Sequence, residues 1–254
     1  MPHRLTEANV LEVWEGGLGG TPAARSLLLA SVAAPTGQDV ADLPLSAVNA
    51  LLLELRCGAF GDALPCAADC PQCGDSLDVT VAAGELRPCA VSSDADAGPS
   101  AGPSAGAGGR VPATATLTTD GMTVTFRALT GRDVRAVDAT APRARRSLLR
   151  RCVVHVSPPP VDDLPDEVLE QVARLLPELD PGADTVLVLN CPQCEHRWEA
   201  ALDIGDHLWT EVSGYARKLL HEVHSLARAY GWSEADVLSI SPARRQFYLE
   251  ASAG

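Results

Sequence analysis

From Leu208 to Tyr230 the apolar positions Leu208, Val212, Tyr215, Leu219, Val223, Leu226 and Tyr230 recur at intervals of three and four, the stripe of a long amphipathic helix. Gly231 fits its stop, Ser233 with Asp236 restarts a short helix, and Ser241-Pro242 opens a last one carrying Phe247, Tyr248 and Leu249. At the other end, Val10, Leu11 and Trp14 and then Leu27, Leu28, Leu29 and Val32 predict two helices joined by the glycine turn Gly16 to Gly20. A third is expected over Ala47 to Phe60, with Ser46 as N-cap and Gly61 as terminator. Between these helical ends the period changes to two. Leu77, Val79 and Val81 alternate after Cys73, Trp198, Ala200, Leu202 and Ile204 alternate after Cys194, and Met122 to Leu129 alternates likewise. Thr130 to Asp133 is a capped helix start, Arg143 to Val154 and Pro165 to Leu179 are helical, and Asp184 to Asn190 is β-rich.

These elements divide the chain into six stretches: a helical segment over 1–62, a hairpin over 63–91, a low-complexity linker over 92–116, strand and helices over 117–183, a second hairpin over 184–204 and a helical subdomain over 205–254. The linker is read from Ser92 to Gly109, almost wholly Ser, Ala, Gly, Pro and Asp, which offers too little apolar area to offset ordering. The expected fold class is α+β, with helical N- and C-terminal parts around a small sheet of hairpins.

Composition narrows the function classes. A formal charge of −13 argues against nucleic acid as the main partner, because phosphate binding draws on clustered Lys and Arg. The most apolar stretch, Leu27 to Ala34, is far shorter than the roughly 20 residues that span a bilayer, and the first ten residues do not read as a signal peptide. A cytoplasmic chain without membrane contact is expected. Its 8 cysteines then read as reduced thiols and metal ligands rather than disulfides.

Four of those cysteines carry the strongest chemistry. Cys-Pro-Gln-Cys occurs at Cys70–Cys73 and again at Cys191–Cys194. Two such thiolate pairs complete the closed four-sulfur shell of a structural Zn²⁺, which leaves no position for a catalytic water. Aligned on the cysteines, Leu77 matches Trp198 and Val79 matches Ala200, so each pair reads as a zinc knuckle at the tip of a β-hairpin. The whole then reads as a zinc ribbon split by a long insertion. Gly74 suits the left-handed backbone of such a turn; Glu195 holds the equivalent place and departs from the pattern. Cys-Pro-x-Cys also serves redox enzymes, where it opens a helix that lowers the thiol pKa, whereas period-two strands follow both copies here. Cys57, Cys66, Cys89 and Cys152 read as small buried or incidental residues.

No catalytic constellation is visible. His221-Glu222-Val223-His224 lacks the spacing of a metalloprotease helix, since Ser225 stands where the second histidine belongs. Arg143, Arg145, Arg146, Arg150 and Arg151, followed by Asp162, Asp163, Asp166, Glu167, Glu170, Glu178, Asp180 and Asp184, read as two solvated helix faces or as a docking surface for a protein. Trp209, Tyr230, Trp232 and Phe247 are core or contact residues.

The run from Leu219 to Leu238, with Tyr230-Gly231-Trp232-Ser233-Glu234 at its centre, resembles a known family. So do Leu51 to Arg56 followed by Phe60-Gly61, both Cys-Pro-Gln-Cys motifs, and Leu202-Asp203-Ile204. Together they are similar to the baseplate hub assembly chaperones of T-even-like contractile-tailed phages, with relatives in bacterial contractile injection system clusters. The resemblance covers most of the chain outside Ser92 to Gly109. It implies a non-enzymatic assembly factor or baseplate component, with hub or spike subunits as partners, in the cytoplasm or within the finished particle. It carries over no functional residues beyond Cys70, Cys73, Cys191 and Cys194. The rival reading from the residues is a nucleic-acid-binding zinc ribbon.

Overall fold

The computed structural model describes residues 5–86, 112–119, 121–160 and 163–252. The linker Ser92 to Gly109, Cys89 and Asp162 lie outside them. In chain order the elements are α1 (Glu7–Gly17), α2 (Pro22–Ala33), α3 (Leu45–Phe60), β1 (Ala63–Asp69), β2 (Ser76–Ala82), β3 (Thr114–Thr119), β4 (Met122–Arg127), α4 (Gly131–Arg135), α5 (Ala144–Cys152), β5 (Val153–Ser157), α6 (Asp166–Leu179), β6 (Val186–Asn190), β7 (Arg197–Ala201), α7 (Ile204–Tyr230), α8 (Glu234–Ser239) and α9 (Pro242–Ser252). A single 3₁₀ turn, Val40–Asp42, precedes α3. The class is mixed α+β. Among the described residues the strands form three small antiparallel sheets, β1-β2, β3-β4-β5 and β6-β7, where one small sheet was expected. The two cysteine hairpins share no ladder hydrogen bonds.

Two cores organise the chain. The larger gathers Val10, Leu29, Leu52, Leu53 and Leu64 with Leu208, Val212 and Leu219, so α1, α2 and α3 bury their stripes against α7. Gly17 and Gly205 permit that approach: a Cβ at Gly17 would sit 2.3 Å from the Trp209 ring, and one at Gly205 2.0 Å from Ser26 Oγ. Trp209 is therefore core, while Tyr230 and Phe247 are exposed. The smaller core packs Val124 and Phe126 against Leu149, Val168, Leu169 and Val172.

Several local expectations change. β3 begins at Thr114, within the stretch read as linker, because Ala115 and Leu117 pack against the smaller core. The helix expected over Arg143 to Val154 stops at Cys152, and the β-branched run from Val153 pairs with β4 instead. Ile204, expected to close an alternating strand, opens α7 behind the Asp203 cap. Ser46 does not cap α3, which starts two residues earlier than expected, behind Pro44; its hydroxyl and N–H both donate to the buried Asp180 carboxylate. Asn49 Nδ2 donates to the carbonyls of Gly182 and Ala183 at 3.0 and 2.9 Å. The start of α3 thus holds the loop leading to β6.

The arginine and acidic runs meet each other. Arg145 pairs with Glu170, Arg146 with Asp163 and Asp166, and Arg150 with Asp163, so the two faces consume one another's charge. Arg151 joins Arg127 on Asp133, which is 2% exposed. Burial pushes the Asp133 carboxyl up, but the Arg127 guanidinium with the Thr130 N–H and hydroxyl outweigh it and hold it below the usual carboxylate range. A depressed folded-state value means stability that is complete above the unfolded carboxyl value, about 4, and lost as pH falls through the folded one. Urea unfolding of the wild type should weaken between pH 6 and pH 3 more steeply than that of Asp133→Asn; parallel curves would remove this role from the carboxylate.

Candidate metal centre

Each cysteine pair lies in the turn of a hairpin. β1 pairs with β2 through Asp69↔Ser76, and β6 with β7 through Asn190↔Arg197. The turns between them repeat one hydrogen-bond scheme. The Cys70 N–H donates to the Asp75 carbonyl at 2.8 Å and the Gly74 N–H to the Cys70 carbonyl at 2.9 Å. The Cys191 N–H donates to the His196 carbonyl at 2.9 Å and the Glu195 N–H to the Cys191 carbonyl at 2.9 Å. Gly74 has φ 75° and Glu195 has φ 59°. Glu195, the departure from the knuckle pattern, therefore adopts the same left-handed backbone and carries the strain that a side chain meets there.

That difference makes an asymmetric pair of variants. Gly74→Ala should destabilise the protein by about 1 kcal/mol, while Glu195→Gly should be neutral or raise stability by a few tenths (~0.3 kcal/mol). Thermal melts of the two variants beside the wild type check both; equal losses would mean that the turns are not equivalent.

The tips of the hairpins meet. Cys70 Sγ lies 3.6 Å from Cys194 Sγ, and Cys73 Sγ 3.6 Å from Cys191 Sγ. All four sulfurs are within 4.8 Å of one another. A tetrahedron with metal–sulfur bonds of about 2.3 Å has edges of about 3.8 Å, so the donor set fits a four-coordinate ion. The cysteines are free thiols; Cys70 and Cys191 are buried, whereas Cys73 is exposed. The leading cysteine of each turn faces inward and the trailing one outward. Cys70, Cys73, Cys191 and Cys194 can hold a metal ion such as zinc.

The electrostatics of the cluster favour a cation. Burial raises the Cys70 thiol, but the backbone N–H groups of Cys73 and Gln72 and the thiols of Cys73 and Cys194 outweigh it and bring it down to about 7. Cys194 behaves oppositely: the His196 N–H lowers it, yet burial and the three neighbouring sulfurs push it up to about 12. The first thiolate forms easily and the last is held back by its negative neighbours. A divalent ion among the sulfurs reverses that penalty.

The hairpins are aimed by their roots. β1 leaves α3 through Gly61, whose φ of 88° turns the chain, and Leu64 is fully buried beneath it. β7 runs directly into α7, whose first turn is capped by Asp203. Arg56, 2% exposed, ties the roots together. Its Nε and Nη2 donate to Glu211 at 3.1 and 2.8 Å, and its Nη1 donates to the Gly61 carbonyl at 2.5 Å. One guanidinium thus joins α7 to the junction of α3 and β1. Sequence reasoning missed Arg56, although an arginine closing the leucine-rich run Leu51 to Leu55 was a signal.

The other candidates lie apart. His221 and His224 are exposed on α7. Cys57, Cys66 and Cys152 stand outside the cluster; burial pushes the Cys152 thiol up to about 11. Among the described residues, no helix is long and apolar enough to cross a membrane. No family model, no characterised protein and no solved structure matches this chain.

Proposed function

We propose that Cys70, Cys73, Cys191 and Cys194 bind one structural Zn²⁺, making the two hairpins a split zinc ribbon. The observation that carries this reading is the convergence of four sulfurs from two turns with the same hydrogen-bond scheme. Zinc supplies binding free energy to the folded state, on the order of 10 kcal/mol in such sites. This chain's residues position it: the knuckle N–H groups face the sulfurs, and α3 and α7 hold the hairpin roots. A closed sulfur shell suits a scaffold rather than a hydrolytic centre. Placement of both motifs in strand-to-strand turns, rather than at helix N-termini, favours metal over dithiol redox chemistry.

On that scaffold we propose a non-enzymatic assembly chaperone or structural component for the baseplate hub of a contractile phage tail or related injection system, acting in the cytoplasm. The support is the resemblance of the Tyr230 to Glu234 stretch and both cysteine motifs, together with exposed aromatic residues at the end of α7 and on α9. Tyr230 stacks on Trp232 at 4.8 Å, Tyr248 packs edge-on against both, and Phe247 remains 65% exposed. Tyr and Trp in such clusters are characteristic of protein-binding surfaces. Affinity capture of the tagged chain from cells expressing its neighbouring genes should recover hub or spike subunits. Recovery of only RNA polymerase or ribosomes overturns the assembly role.

A further inference from the structure

The buried side of α7 is its stripe of Leu208, Val212, Ala216, Leu219 and Leu226. The opposite side has a different character. Arg217, His221, His224 and Arg228 follow at intervals of four, three and four, so they line one face of the helix. All four are exposed, and their side chains have no hydrogen-bond or ion-pair partner among the described residues. At about 1.5 Å per residue the row is about 16 Å long.

This row is unusual in a chain of formal charge −13. Its purity has a structural cause. The two acids in this part of α7, Glu211 and Glu222, are turned toward the core by the buried arginines Arg56 and Arg245. Thr210, Gly214 and Ser225 flank the row on the outward side, and the exposed Asp206, one turn before Thr210, marks its limit toward the start of the helix.

We propose that this face docks a short carboxylate-rich segment of a partner protein. Guanidinium and imidazole N–H groups both donate to carboxylates, and the charge-assisted bonds are the stronger kind. The length of the row selects a short acidic segment over a nucleic acid. A phosphate backbone continuing past the row's length of about 16 Å toward the start of α7 would meet the exposed Asp206, whereas three or four carboxylates on one helical turn set end where the row ends. Screening over about 8–10 Å at ordinary salt confines the net negative charge to a local influence.

The test uses the full chain and a fluorescent helical peptide with glutamates at i, i+4, i+7 and i+11 in an alanine–glutamine background. Its comparators are the same peptide with glutamine at those four places and a single-stranded thymidine oligonucleotide. Anisotropy at low salt should show binding of the glutamate peptide only. Arg217→Glu/Arg228→Glu should weaken it about tenfold. Arg135→Glu/Arg174→Glu, with the same change in net charge on exposed arginines elsewhere, should leave it unchanged. Equal weakening by the two double variants, equal binding of the glutamine peptide, tighter binding of the oligonucleotide, or no binding of the glutamate peptide would each overturn the proposal. Circular dichroism of both variants confirms that they are folded.

Discussion

Cys191→Ser should release the metal and destabilise the protein by about 5 kcal/mol or more. The sulfur of Cys191 is fully buried and faces Cys73 across the cluster, so its loss opens the four-sulfur shell from the inside. Zinc binding in closed thiolate sites provides on the order of 10 kcal/mol, comparable to the whole stability of a domain. The purified wild type should carry one zinc per chain by elemental analysis, and the variant well under half of that. Urea unfolding should report a lower midpoint for the variant and for wild type stripped by a strong chelator. Cys57→Ser, outside the cluster, should retain the metal. A variant that kept a full equivalent of zinc and an unchanged midpoint would remove the metal from its structural role.

The second large effect is expected at Arg56. Arg56→Ala leaves Glu211 and the Gly61 carbonyl without their donor at the junction from which both hairpins spring. Breaking a buried pair by deleting one partner costs about 3–5 kcal/mol, because the remaining charge stays poorly solvated. Glu211 keeps 20% of its side-chain exposure, which places the loss near the lower end, about 3 kcal/mol. Glu211→Ala with Arg56→Ala should recover part of it, and the double-mutant cycle isolates the pair. Loosened roots should also weaken metal retention, seen as faster zinc loss to a chromogenic chelator. Strict additivity of the two substitutions would show that the guanidinium works alone.

A comparable device closes the far end of α7. Arg245, 2% exposed, donates to Glu7 through both Nη atoms at 2.8 and 2.6 Å and to Glu222 through Nε at 2.7 Å. The Arg245 guanidinium holds the Glu7 carboxyl below its usual range, against the opposing effect of burial. Tyr215 also donates to Glu7, at 2.8 Å; burial and that carboxylate push the phenol up to about 12. Two buried arginines, one at each end, therefore bind α7 to the N-terminal helices. Arg56 draws in Glu211, and Arg245 draws in Glu222 together with Glu7 of α1, which leaves the outward face of α7 from Gly214 to Arg228 without an acid.

Much of this arrangement is legible along the chain. The three- and four-residue intervals of α7, the αL stop at Gly231 and the Ser233–Asp236 capping box are local, because a helix and its caps depend on neighbours within one turn. The hairpin character of both Cys-Pro-Gln-Cys turns is local for the same reason, and the repeat of the motif itself points to one four-sulfur shell. Other features depended on partners distant in sequence. β5 is hidden because Val153 and Val154 continue a helical run in the sequence and the segment pairs with β4 only in the folded chain, and β3 because it begins inside a stretch that reads as linker. Ser46 prefers Asp180 to the helix end beside it, a choice available only once the loop before β6 is packed against α3. The separation of the hairpins into two sheets, and their meeting at the sulfurs, likewise depends on how α3 and α7 are packed. Residue spacing encodes what a few neighbouring backbone bonds impose. Which acid meets which arginine, and which faces stay open, follows from burial, and burial exists only after the chain has closed on itself.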